Sequence, residues 1–130
     1  MARILRSARG VLVALVVFGT VAAVFAATAR AGSYSQIRFA PGTNAATVDG
    51  AVVRGDLDVY LVEAGAGQTV TVRVESVEDN AVINFATGNG YLLLEEQRWG
   101  QVVLPADDNY SLVVMPTRGN ATYSVHIQID

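Results

Sequence analysis

The stretch Gly55–Val74, GDLDVYLVEAGAGQTVTVRV, decides the fold. In its second half Val70, Val72 and Val74 alternate with Thr69, Thr71 and Arg73, the period of two that a strand with one buried face requires. Its first half, Asp58–Glu63, reads as another strand, and Gly65-Ala66-Gly67 between them supplies turn chemistry. The whole reads as a strand pair, with Asp56 and Asp58 as charges on its solvated rim.

The same period returns at the C-terminal end, where Tyr123, Val125, Ile127 and Ile129 alternate with Ser124, His126 and Gln128. Before and between these anchors the pattern predicts strands over Gln36–Ala40, Ala46–Val53, Ala81–Ala86, Tyr91–Glu95, Gly100–Leu104 and Tyr110–Met115. Pro41-Gly42, Arg54-Gly55, Gly88-Asn89-Gly90, Asp107-Asp108-Asn109 and Arg118-Gly119-Asn120 separate them as turns that fold antiparallel strands back on themselves. No helical period is sustained after residue 32. The expected fold is all-β, an antiparallel β-sandwich of about eight short strands.

The N-terminal segment differs in kind. Arg3, Arg6 and Arg9 precede an apolar run from Val11 to Ala27, and Ala29-Arg30-Ala31 places small residues where a signal peptidase reads. Residues 1–31 are therefore expected to be a helical signal peptide and 32–130 a single sandwich domain in the periplasm or outside the cell. An uncleaved anchor is the competing reading, because the run approaches the ~17–20 residues of a spanning helix. The Ala-x-Ala site and the lack of a basic stop-transfer cluster favour cleavage.

All nine basic residues are arginines, and four of them precede the expected cut; five remain against twelve acids, a net charge of −7 for residues 32–130. That balance argues against a nucleic-acid partner, whose phosphates it repels, and favours encounter with a basic one. The chain has no cysteine. Packed apolar layers must hold the domain without disulfides, and thiol catalysis and zinc-thiolate sites are excluded.

Catalytic groups are sparse. The single histidine, His126, lies in the polar phase of the last strand without an evident serine or acid partner. Glu95-Glu96 and Asp107-Asp108 are adjacent acids, which an extended strand points to opposite faces. Asp56 and Asp58 point the same way, but a calcium ion needs about six to eight oxygen ligands and no dense acidic loop supplies the rest. The expectation is a binding protein, not an enzyme, with no metal site and no cofactor. Asn120-Ala121-Thr122 matches a glycosylation sequon, relevant only where exported asparagines are modified.

Four runs, IRFAPGTNAATVDGAVV, DVYLVEAGAGQTVTVRVES, VVLPADDNYSLVVMPTR and YSVHIQI, resemble the bacterial periplasmic inhibitors of g-type lysozyme and, more widely, the pre-peptidase C-terminal domains with their D-x-Y-x-x-x-A-x-x-G-Q pattern. The resemblance spans nearly all of residues 32–130 and rests mostly on fold-determining positions such as Gly67 and Leu104-Pro105-Ala106.

For the inhibitors it implies a rigid set of loops that plugs a lysozyme cleft and meets its catalytic acid with polar and basic groups. The family's S-G-x-Y loop corresponds here to Asp107-Asp108-Asn109-Tyr110, with both small residues replaced by aspartates, and Arg118 stands where one hairpin arginine is expected. Thr122 occupies the place of a second arginine. Two carboxylates beside a lysozyme's catalytic glutamate would repel it unless that acid stayed protonated.

Asp107, Asp108, Asn109, Tyr110, Arg118 and Tyr60 are thus the candidate contacts for a protein partner, with a g-type lysozyme as the partner the resemblance implies. The alternative is an envelope module of the pre-peptidase kind that binds carbohydrate or protein, stiffened by calcium or not. Trp99, the only tryptophan, follows Arg98 at a strand start and is expected in the core.

Overall fold

The computed structural model describes residues 32–130; the expected signal peptide lies outside the described residues. Nine strands run in chain order: β1 Tyr34–Gln36, β2 Ala45–Val52, β3 Asp58–Ala64, β4 Thr69–Ser76, β5 Ala81–Ala86, β6 Leu92–Gln97, β7 Trp99–Val103, β8 Asp108–Pro116 and β9 Ala121–Ile129. They form a five-stranded sheet, β1-β3-β8-β5-β6, and a four-stranded sheet, β2-β9-β4-β7. Every pairing is antiparallel except β1 with β3.

The decisive stretch does give two strands, but they do not pair. β3 bonds to β8 in one sheet, whereas β4 bonds to β9 and β7 in the other. Gly65-Ala66-Gly67 therefore carries the chain across the sandwich. The same holds for the turns after β4, β6, β7 and β8; of the connections between consecutive strands, only that between β5 and β6 closes a hairpin within one sheet. Alternation fixes which face of a strand is buried and leaves its edge partners open, so a turn between two half-buried strands fits either arrangement.

The inward sets meet between the sheets. Tyr60 and Val62 of β3, Tyr110, Leu112 and Val114 of β8, Val70, Val72 and Val74 of β4 and the alternate residues of β9 from Ala121 to Ile129 are all buried. β5, interior to its sheet, breaks alternation: Val82 and Ala86 are buried as well as Ile83 and Phe85. Gly50 interrupts β2 directly opposite Tyr123. A Cβ there would lie 2.5 Å from the Tyr123 hydroxyl, so the ring lies across the space that any side chain would fill.

Candidate partner-binding site

Two of the candidate contacts belong to the core. Tyr110 is fully buried, its ring stacked on Phe85 at 5.5 Å between centroids and 11° between planes. Its hydroxyl donates to the Ala106 carbonyl at 2.5 Å, tying the start of β8 to the turn before it, as in a tyrosine corner. Tyr60 is buried in phase with Val62, its hydroxyl 2.5 Å from that of Tyr123. Neither presents a side chain to a partner, so the contact surface loses both.

The acids of the loop hold its neighbours. Asp107 Oδ1 accepts from the Ala66 amide at 2.8 Å, and Asp108 Oδ2 from the Gly88 amide at 2.8 Å. Asp108 Oδ1 also accepts from the Asn109 amide, and Asn109 Oδ1 from Gln36 Nε2 at 3.4 Å. Each carboxylate thus satisfies turn amides that would otherwise face water alone. Asp107 and Asp108 thus fasten this end of the sandwich.

Arg118 stands at the opposite end. β8 separates it from Asp108, and a strand of that length spans roughly 26 Å. Its Nη2 donates to the Glu78 carbonyl at 2.7 Å, while Asn80, itself buried, donates to the carbonyls of Arg118 and Asn120 at 2.9 and 3.0 Å. Arg98 grips the next residue, with Nη2 on the Asp79 carbonyl at 2.9 Å and Nε on its carboxylate at 3.0 Å. Asp79 has φ of 53°, a conformation these contacts hold in place. The turn between β4 and β5 is thereby clamped by two arginines, and it presents Val77, 81% exposed. The sequence reading missed Val77; its signal was an apolar residue heading the polar run Glu78-Asp79-Asn80.

Trp99 is 56% exposed, contrary to its expected place in the core. It shares its phase with Gln101, and its cross-strand partner is Arg73 on the outer face of the four-stranded sheet. The row continues through His126 and Thr47. His126 Nδ1 lies 2.8 Å from Thr47 Oγ1 and its Nε2 lies 3.7 Å from Glu75, which also pairs with Arg73. A shallow groove of ≈ 450 Å³ nearby is lined by Asp49, Gly50, Glu75, Val77 and Ser124 among others. Its acids are already engaged, Asp49 by the Ser124 hydroxyl and Glu75 by Arg73.

Asp58 is not on the rim. It is buried at 3% exposure, accepting from the Ser33 amide at 2.8 Å and from the Tyr123 hydroxyl at 2.5 Å. The Tyr60 hydroxyl extends this into a chain between the sheets. Desolvation raises the Asp58 carboxyl above its ordinary 3.8, opposed by the Tyr123 and Ser33 hydrogen bonds, and burial pushes both tyrosines far up. Asp56 and Asp58 therefore form no shared cation site. Among the described residues no group of three or more His, Cys, Asp or Glu stands together to hold a metal.

A raised native carboxyl binds a proton that the unfolded chain has already lost, so its contribution to stability falls as pH rises from about 3.8 through the raised value. Tyr123→Phe removes a donor that favours the charged form and raises that carboxyl further. The expected loss is about 1–3 kcal/mol at neutral pH and less below about pH 4, where the acid is protonated in both proteins. Urea midpoints at the two pH values check this; equal losses at both would exclude the charged form as the cause.

No protein-family model matches the chain, and no curated protein does. Solved structures do match. The periplasmic g-type lysozyme inhibitor PliG of Aeromonas hydrophila superposes with a TM-score of 0.67 at 23% identity, over 78% of this chain and 100% of that one. PliG of Salmonella Typhimurium gives 0.60 at 27% identity, over 76% and 99%. This domain has the inhibitors' fold. The pre-peptidase C-terminal domain of a Bacillus anthracis collagenase shares it too, with a TM-score of 0.57 at 16% identity over 78% of this chain and 100% of that one. The resemblance read from the four sequence runs is thus matched by the inhibitor-like sandwich in three dimensions.

Proposed function

We propose that residues 32–130 form an exported inhibitor-like binding protein that closes a lysozyme cleft with its Arg118 end. The observation that carries this reading is the turn Val77–Asn80, clamped by Arg98 and Arg118 and carrying the exposed apolar side chain of Val77. A rigid loop loses little entropy on binding, and an apolar tip on a turn held by two guanidiniums suits a cleft that carries a catalytic carboxylate. Inserting this end keeps Asp107 and Asp108 far from that acid; of the carboxylates it brings instead, Asp79 is paired with Arg98 and Glu78 sits on the residue whose carbonyl Arg118 holds. The net charge of −7 favours encounter with a basic enzyme.

The test is cell-wall lysis by g-type, chicken-type and invertebrate-type lysozymes, titrated with the purified domain. We expect stoichiometric inhibition of the g-type enzyme, weakened at least about tenfold by Arg118→Ala, the scale of losing a desolvated charged contact. No inhibition at a large molar excess would overturn the reading. In that case the exposed Trp99, lying beside Arg73 and Gln101 on a polar face, favours a pre-peptidase-like module that binds envelope carbohydrate. Tryptophan fluorescence would then respond to cell-wall oligosaccharides, and a calcium-dependent melting temperature would mark a calcium-stiffened form.

A further inference from the structure

Among the described residues no cation pairs with the buried carboxylate of Asp58. Its hydrogen-bond donors are all neutral, the Ser33 amide and side chain and the Tyr123 hydroxyl; the nearby Tyr60 and Asp56 add no positive charge, and no arginine or histidine among the described residues pairs with it. A charge held this way is costly unless a counter-charge joins it. Ser33, its amide donor, opens the segment that β1 stitches to β3. The Val59 amide donates to the Ser33 carbonyl at 2.7 Å, and the Ile37 amide to Leu61 at 2.8 Å.

Gly32 is fitted just as closely. Its φ is +61°, and a Cβ would fall 1.5 Å from the Leu57 carbonyl oxygen and 3.2 Å from Asp58 Oδ1. No side chain can occupy that place. The α-nitrogen of Gly32 is two covalent bonds, roughly 2.5 Å, from the same point, so it lies no more than about 5.7 Å from that carboxylate oxygen.

We propose that Asp58 is the receptor for a new amino terminus: removal of residues 1–31 leaves an ammonium on Gly32 that pairs with the Asp58 carboxylate and locks the processed domain. The step is hydrolysis of the Ala31–Gly32 peptide bond by a signal peptidase. Water supplies the oxygen of the new Ala31 carboxylate, and the released Gly32 amine takes up a proton. Before the cut the Gly32 nitrogen is a neutral amide; after it, the buried acid gains its cation. The proposal rests on the reading of residues 1–31 as a removable leader.

Because the chain has no lysine, this ammonium is the one primary amine of the processed protein, and an amine-selective acylating reagent modifies it and spares the tyrosine phenols. The full chain is expressed for export, and the purified product is sequenced from its N-terminus. Its unfolding constant is then measured before and after acetylation, with Asp58 and with Asp58→Asn. We expect Gly32 as the first residue. Acetylation should raise the unfolding constant at least about tenfold with Asp58, the scale of a charged hydrogen bond, and less than about twofold in the variant.

An equal effect in both backgrounds overturns the pairing, and a first residue other than Gly32 overturns the leader reading and the proposal with it; the sequence and the cycle thus fail separately. If Asp58→Asn does not fold, the acetylation rate of the unaltered protein decides. An engaged ammonium reacts at least about tenfold more slowly than the free peptide Gly-Ser-Tyr, the same charged hydrogen bond having to open first, and an equal rate refutes the contact.

Discussion

Phe85→Ala is expected to lower the unfolding free energy by about 3–5 kcal/mol, a large part of the roughly 5–15 kcal/mol that holds a domain of this size. Phe85 is fully buried in β5, interior to the five-stranded sheet, and its ring covers that of Tyr110 at 5.5 Å. Removing it leaves a void beside the regular ladder with β8, which holds the backbone of β5 in place on that side. The Tyr110 ring loses its stacking partner, and with it the restraint that aims the hydroxyl at Ala106. Phe85→Leu keeps most of the volume and should cost less than about 1.5 kcal/mol. Guanidinium denaturation of the three proteins measures both differences; an alanine variant within about 1 kcal/mol of the parent would mean that the sandwich can collapse onto the void.

Much of the fold was legible because apolar alternation is a direct consequence of lying against another layer. β4 and β9 announce themselves through Val70–Val74 and Tyr123–Ile129, and β5 is bounded where the sequence predicts, at Ala81 and Ala86. β1 was misplaced. Ile37 and Phe39 pack on the core and imitate a strand, but the ladder with β3 ends at Gln36. Which sheet a strand joins was not legible, since the glycine turn after β3 would look the same in a hairpin.

The site was harder to read for a related reason. Tyr60 and Tyr110 carry hydroxyls, and a polar tip looks like a surface group until its buried acceptor is known. Their phase with Val62 and with Leu112 did point inward. Asp58 reads as a rim charge in the sequence because its partner Tyr123 is 65 residues away and no local pattern connects them. The separation of Arg118 from the Asp107 loop, by contrast, was available from the length of the strand between them. A resemblance that names contacts by order along the chain conceals such distances; counting residues along an extended strand restores them.

Gly50→Val tests how far the buried polar chain depends on an empty position. The Val Cβ would sit 2.5 Å from the Tyr123 hydroxyl and 2.7 Å from the ring carbon that bears it, well inside contact distance. β2 is an edge strand but is paired with β9 along its whole length, so the Tyr123 ring is expected to move before the ladder opens. Moving it breaks its donation to Asp58 and its contact with Tyr60, depriving the buried carboxylate of one of its hydrogen-bond donors. Overpacking costs about 1–3 kcal/mol and the abandoned acceptor about 1–3 more, so we expect a total near 3–5 kcal/mol despite the higher strand propensity of valine. Adding Tyr123→Phe should recover little, because the ring still collides. Adding Tyr123→Ala, which empties the space, should make the valine nearly neutral when measured against Tyr123→Ala alone. If valine costs as much without the ring as with it, the glycine serves the backbone of β2 and not the tyrosine that lies across it.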